Sequence, residues 1–234
     1  MSAGRTDAAE GTRLVWDLPV RVAHWALVVG VAGAWATHYA GAAWFSWHRR
    51  CGYLVLVLAV FRILWGFIGT RHARFSSFVR GPRRIREYLR AKGTMVSVGH
   101  NPLGALSVVV LLALLAAQGL TGLFANDEIA STGPLFGWIS QVQSNRVTAL
   151  HHANAIGLAI LIGLHLLAVL WYGFAWRRPL VTAMVTGRRP AGHVPPGEEI
   201  RSSRNLLAAA IIVVLATVLA LAVRAAPDAS ISLY

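Results

Sequence analysis

Residues 153–176 read ANAIGLAILIGLHLLAVLWYGFAW, an apolar run without Asp, Glu, Lys or Arg that ends at the pair Arg177-Arg178. A helix needs roughly 18 or more such residues to cross the hydrocarbon core of a bilayer. This run is long enough, and its one side chain that titrates near neutral pH is His165. Four further stretches have the same character: Val22 to Tyr39, Gly52 to Gly69, Pro102 to Ala125 and Leu206 to Val223. Trp and Tyr crowd their ends (Trp16, Trp25, Tyr39, Trp44, Trp47, Tyr53, Trp138, Trp171, Tyr172, Trp176), as amphipathic rings do at headgroup level. The expected fold is an all-α integral membrane protein, a four-helix transmembrane bundle (residues 1–189) followed by a linker (190–204) and a fifth C-terminal helix with a short tail (205–234).

Composition agrees. Of 234 residues 56% are hydrophobic and 13% charged, about half the charge of a soluble domain. The net charge of +13 could serve an anionic partner or mark membrane-flanking loops. Its placement decides. Arg5, Arg13 and Arg21 precede the first span. Arg71, Arg74, Arg80, Arg83, Arg84, Arg86, Arg90 and Lys92 lie between the second and third, and Arg177, Arg178, Arg188, Arg189, Arg201 and Arg204 between the fourth and fifth. The other two connections hold Arg49 and Arg50, and Arg146 beside Asp127 and Glu128. By the positive-inside rule the N-terminus is cytoplasmic and the C-terminus outside. The basic loops then face anionic lipid, and no nucleic acid is needed to account for them.

A cleaved signal peptide would also combine a basic start, an apolar run and small residues such as Ala32, Gly33 and Ala34. The run here is long for a signal core, carries His24 and two Trp, and fits the alternation as a retained span. The Pro and Gly residues from Pro190 to Gly197 read as a flexible linker.

A single Cys excludes an internal disulfide, a four-thiolate metal site and the C-x-x-C-H attachment of c-type haem. The nine histidines carry the chemistry. His72, His100 and His193 fall in loops or at a span edge and His38 at a span end, where a solvated or headgroup-level ring is the plain reading. His24, His48, His151 or His152, and His165 fall in or beside the spans, where an ionisable group is costly and signals function. His24 begins the first span on the inner side, His48 the second on the outer side, and His151 the fourth. His165 is 14 residues beyond His151, about 21 Å deeper and within about 40° of the same helix face. From His152 the difference is about 140°. Two levels emerge, His48 with His151 outside and His24 with His165 inside.

Paired imidazoles from facing helices suit six-coordinate haem iron. Isolated hydrogen-bonded histidines are the plain alternative, though they have no reason to fall into two matched pairs. A zinc site would gather three or four ligands at one level, and a proton path would want carboxylates, of which the spans have none after Asp17. Arg62, 14 residues after His48, either neutralises a propionate of the inner haem or snorkels to the inner surface. Gly52, one turn from His48, either admits a flat macrocycle or marks a helix contact.

The motifs Val15-Trp16-Asp17-Leu18-Pro19-Val20-Arg21-Val22-Ala23-His24-Trp25, Trp47-His48 with Gly52-Tyr53, and Phe61-Arg62-Ile63-Leu64-Trp65-Gly66 resemble the bacterial di-haem cytochromes b, the prokaryotic cytochrome b561 and nickel–iron hydrogenase cytochrome b subunits. The resemblance continues through Gly69-Thr70-Arg71-His72-Ala73-Arg74-Phe75, His100-Asn101-Pro102-Leu103-Gly104-Ala105, Gly119-Leu120-Thr121-Gly122-Leu123-Phe124, Leu150-His151 with Asn154, Leu164-His165 and Met184-Val185-Thr186-Gly187-Arg188. It covers about Val15 to Arg189 and leaves the fifth helix aside. It implies two haems b, iron ligands at His24, His48, His151 and His165, and electron transfer across a bacterial inner membrane between quinone and a redox partner. A hydrogenase, another dehydrogenase or a cytochrome c would serve as that partner. His152 departs from an acidic residue common in the family. The edge near His100 and Asn101 is the candidate quinone pocket. Two rivals are a channel or transporter lined by histidines, for which Gln118 and Thr121 supply too few polar groups, and a haem-free anchor subunit.

Overall fold

The computed structural model describes residues 11–91, 98–129 and 131–227. Arg5 and Lys92, counted above among the basic residues, lie outside these. In chain order the elements are β1 (Thr12–Leu14), α1 (Leu18–Tyr39), α2 (Phe45–Ile68), α3 (Phe75–Phe78), α4 (Pro82–Arg90), α5 (Pro102–Phe124), α6 (Gln141–Ala175), α7 (Leu180–Thr186), β2 (Arg188–Pro190) and α8 (Asn205–Ala225). Five of the helices, α1, α2, α5, α6 and α8, are long and apolar enough to cross a membrane. Much of their surface is apolar and exposed. Ile156, Ile160, Leu167, Leu170 and Trp171 of α6 stand outward, which suits lipid and not water.

The helices extend past the apolar runs that mark them. α2 begins at Phe45 and takes in Arg49 and Arg50, whose guanidinium groups sit over the rings of Phe45 and Trp47 at 5.5 and 4.7 Å. α6 begins at Gln141, twelve residues before the expected Ala153, so His151 lies inside the helix and not at its start. The added turns are polar and have partners. Asn126 in the loop after α5 is buried, its Nδ2 donating to Ser144 Oγ (2.5 Å) and Asn145 Oδ1 (2.9 Å), while its backbone amide donates to Thr148 Oγ1 (2.9 Å).

The chain divides into two compact units, one of Met1–Val22, Ile63–Val110 and Gly163–Ala208, the other of Ala23–Arg62, Leu111–Ile162 and Ala209–Tyr234. In the first, β1 and β2 pair antiparallel, Arg13 opposite Arg189. Gly187 makes this junction. It closes α7 with φ +80, and its carbonyl accepts the amides of Val15 (2.8 Å) and Trp16 (3.0 Å). A Cβ there would stand 2.6 Å from the Trp16 carbonyl oxygen, so both the conformation and the space require glycine.

Asp17 is the polar centre of this unit and is 1% exposed. Its Oδ1 accepts the amide of Val20 (2.7 Å), capping α1, and its Oδ2 accepts Trp65 Nε1 (3.0 Å) and the Thr70 hydroxyl. One carboxylate therefore joins the start of α1 to the end of α2. Residues 190–204, read from Pro and Gly as a flexible linker, are held in place. Val194 and Ile200 are buried, the Ile200 amide donates to the Leu14 carbonyl (2.9 Å), and Arg13 donates to the Val194 carbonyl (2.6 Å). Turn-forming residues mark where a chain bends, and here two apolar side chains decide that the bend is packed.

The second unit is built on small residues. A Cβ on Gly119 of α5 would stand 2.6 Å from Leu56 Cβ and 3.1 Å from Leu56 Cα of α2. The two backbones meet there at close range, the use small residues have between membrane helices. Leu56, Leu123 and Leu135 form a buried cluster, and Leu219, Val223 and Ala226 of the α8 segment pack against it together with Tyr53 and Val60. The fifth helix thus contributes side chains to the core.

Candidate haem-binding site

His48 and His151 belong to the same unit, and their ring centroids lie 6.4 Å apart with planes at 76°. Two imidazole nitrogens on opposite sides of one first-row metal, each about 2.0–2.1 Å from it with the ring centre about 1.1 Å further out, put the centroids about 6.3 Å apart. The spacing of the pair is that of two imidazoles that would hold one iron between them. Gly52, one turn along α2 from His48, is open: a Cβ added there meets nothing within 4 Å. This removes the helix-contact reading of Gly52 and leaves a flat approach beside the His48 ring.

Each ring is fixed through its other nitrogen. His48 Nδ1 donates to the Ala34 carbonyl (2.9 Å), which leaves Nε2 its lone pair for a metal. His151 Nδ1 donates to the Gln118 carbonyl and to Thr121 Oγ1, both at 3.1 Å. The Thr121 hydroxyl hydrogen is directed at the Ala117 carbonyl (2.7 Å), so its oxygen is the acceptor towards His151. The Gln118 side-chain amide donates to His151 Nε2 (3.0 Å), and Asn154 Nδ2 holds Gln118 Oε1 (2.5 Å). Iron at Nε2 requires that amide to turn aside. On the neighbouring turn a Cβ at Gly122 would come within 3.0 Å of His151 Cε1, so glycine leaves room for the ring.

His152 is exposed, its ring 6.2 Å from that of His151, and it does not share these partners. His38, read as a peripheral ring, is exposed but lies 6.0 Å from His48. His24 and His165 stand in different units: His24 on α1 with its ring 5.2 Å from Trp25, His165 on α6, 14 residues after His151. Arg62 is 6% exposed, so its guanidinium is enclosed and does not reach the surface as a snorkelling residue would.

The loop histidines depart from the solvated reading. His72 is buried, its Nε2 2.6 Å from the Glu198 carbonyl, and burial pushes its pKa below the ordinary value. The His100 ring lies 4.7 Å from Trp16 and 4.5 Å from Phe78, and only His193 is exposed. Asn101, named with His100 as a quinone candidate, caps α5 by accepting the Gly104 amide (2.7 Å). The sequence reading weighs Gln118 and Thr121 only as the lining of a channel and Asn154 only within a family motif, and ties none of them to a histidine. Their signal was position, since each lies within one turn of helix from a residue facing His151.

Several known proteins are similar to this chain. A probable Ni/Fe-hydrogenase B-type cytochrome subunit of Bradyrhizobium diazoefficiens is 24% identical over 222 residues, covering 80% of this chain and 90% of its own length. Proteins of the same description from Azotobacter chroococcum and Azotobacter vinelandii are 27% and 28% identical, each covering 75% of this chain and 87% of its own. No solved structure matches the chain. Residues 15–187 match the family described as prokaryotic cytochrome b561, and the chain belongs to that family.

Proposed function

We propose that this multi-pass membrane cytochrome b holds two haems b, one between His48 and His151 and one between His24 and His165, and relays electrons between quinone and a redox partner. The relatives' description as subunits of Ni/Fe-hydrogenase favours a hydrogenase as that partner. The 6.4 Å approach of the His48 and His151 rings carries the reading. When bound, haem b supplies a one-electron ferric/ferrous couple. Two imidazoles of the chain would hold each haem, with the Ala34 carbonyl fixing the tautomer of His48 and the Gln118 carbonyl and Thr121 Oγ1 accepting from His151 Nδ1.

The second site rests on helical spacing. Residue 165 follows residue 151 by 14 positions on one continuous helix, about 21 Å along its axis, a separation suited to relaying electrons across a bilayer. Arg62 would neutralise a propionate of that second haem, a use that a buried guanidinium inside a span favours. In this reading the basic connections are cytoplasmic and the C-terminus is outside.

Haem quantification on the purified chain tests the proposal. The wild type should carry two haems with reduced-minus-oxidised bands of the b type. His48→Ala and His151→Ala should each lose one and the same haem, and His24→Ala and His165→Ala the other. A colourless protein, or a variant that keeps both haems, overturns the corresponding assignment.

A further inference from the structure

The turn between α6 and α7 encloses a cleft of about 390 Å³ that the electron-transfer reading does not use. Val169 and Gly173 of α6 and Leu180 and Val181 of α7 give it an apolar side, Thr182 adds one hydroxyl, and Arg177, Arg178 and Pro179 form the turn. Arg178 is held against aromatic rings, its guanidinium carbon 5.0 Å from the Trp176 centroid and 5.9 Å from that of Tyr172. The Tyr172 hydroxyl is in turn 2.7 Å from that of Tyr88, the buried residue of the arginine-rich helix α4. Arg177 adopts φ +49, a conformation costly for a residue with a Cβ, which places two successive guanidinium groups on a turn too tight for an ordinary backbone.

Neither arginine forms an ion pair among the described residues. The ion pairs among the described residues are made by other arginines, Glu87 with Arg83 and Arg84 and Glu198 with Arg71. Around the cleft, Leu170, Trp171 and Phe174 are strongly exposed, Phe174 to 90%. An occupant must therefore bring negative charge to the turn and hydrocarbon to the wall. A soluble anion satisfies only the first requirement, and a zwitterionic lipid has no net charge to offer two arginines.

We propose that the α6–α7 cleft is a specific site for an anionic phospholipid, its phosphate held by Arg177 and Arg178 and an acyl chain lying along Val169, Gly173 and Val181. Native mass spectrometry of the full chain, purified and delipidated in mild detergent and then titrated with phosphatidylglycerol or phosphatidylcholine, tests it. One phosphatidylglycerol should bind well ahead of the rest. The Arg177→Gln/Arg178→Gln variant should weaken that first adduct about thirty-fold, two charges' worth of attraction. Arg83→Gln/Arg84→Gln should thin only the later adducts. An unchanged first adduct in the Arg177/Arg178 variant, equal binding of phosphatidylcholine, or displacement by inorganic phosphate would overturn the proposal. Haem content in the same samples reports folding independently. Should the double variant not fold, quenching of Trp176 by brominated lipid, read by difference against Trp176→Phe, decides instead. Brominated phosphatidylglycerol should quench it well beyond brominated phosphatidylcholine, and equal quenching rejects the site.

Discussion

The rings of His48 on α2 and His151 on α6 lie 6.4 Å apart with their planes at 76°, and they are not held alike. His48 has one backbone carbonyl on Nδ1, whereas His151 is gripped by the Gln118 carbonyl and Thr121 Oγ1, with Gly122 beside its edge. The His151 side is thus the one whose surroundings can be altered by side-chain substitution without touching a ligand.

Thr121→Val removes one of two acceptors from His151 Nδ1–H. A weaker hydrogen bond makes the imidazole a poorer donor to iron, which favours the ferrous state. Both haems should remain, and a redox titration should show one midpoint rising while the other stays fixed. Gly122→Val acts on the same ring by volume, since its Cβ alone would approach Cε1 to 3.0 Å, and should cost that haem outright. Normal haem content in Gly122→Val would show that the ring can shift and still bind.

Gly119 sets how closely α5 lies on α2. Even alanine would bring a methyl within 2.6 Å of Leu56 Cβ, so the helices must separate or Leu56 must move. Overpacking of this kind costs about 1–3 kcal/mol. Gly119→Ala should lower the thermal midpoint, and because Leu56→Gly removes the clashing Cβ, the two substitutions together should cost less than the sum of their separate costs. Additive costs would place the strain elsewhere.

For Arg62, removal of a cation next to a haem propionate disfavours the electron-rich ferrous form. Arg62→Leu should lower the midpoint of the His24–His165 haem and leave the other nearly unchanged. The effect should be strong, because an enclosed charge acts through little screening. If both midpoints hold while both haems stay bound, the propionate has another partner.

Asp17 answers three donors with one carboxylate. Asp17→Ala leaves the Val20 amide, Trp65 Nε1 and the Thr70 hydroxyl without it, and a buried donor left unsatisfied costs about 1–3 kcal/mol. Asp17→Asn keeps one acceptor oxygen for the cap but turns an amide towards the other donors. Stability should fall in the order wild type, Asn, Ala. Equal stability of Asn and wild type would mean that the charge of Asp17 contributes nothing.

Five spans and the approach of His48 to His151 were legible because both follow from periodicity and length, properties a helix imposes on its own sequence. Local context hid the rest. His72 lies in a basic loop that reads as solvated, yet the Glu198 carbonyl and the packed segment around Val194 and Ile200 come from more than a hundred residues further along the chain, and nothing near position 72 announces them. The early start of α6 was concealed because its first turns are polar, with partners on the loop after α5. Asp17 could have been read: an acidic residue immediately before an apolar helix is a cap signal. Its second oxygen, serving Trp65 and Thr70, could not.

His72 makes stability depend on pH. Burial is the largest influence on its imidazole and lowers its pKa; the Glu198 carbonyl bond opposes this, Arg71 and Arg189 add repulsion, and the Glu198 carboxylate attracts. The folded chain therefore binds this proton more weakly than the unfolded chain does. Stability is full above about 6.5 and is lost as pH falls from there towards the depressed value, with a slope no steeper than about 1.4 kcal/mol per pH unit for one proton. His72→Gln keeps an N–H for the Glu198 carbonyl and cannot titrate. Between pH 7 and pH 5 the thermal midpoint of the wild type should drop further than that of His72→Gln, the difference appearing only below about pH 6.5. Glu198 is common to both proteins, so its own titration cancels in the comparison. Parallel curves would mean that the folded protein takes up the His72 proton at no cost, which a ring 7% exposed and bonded to a backbone carbonyl should not allow.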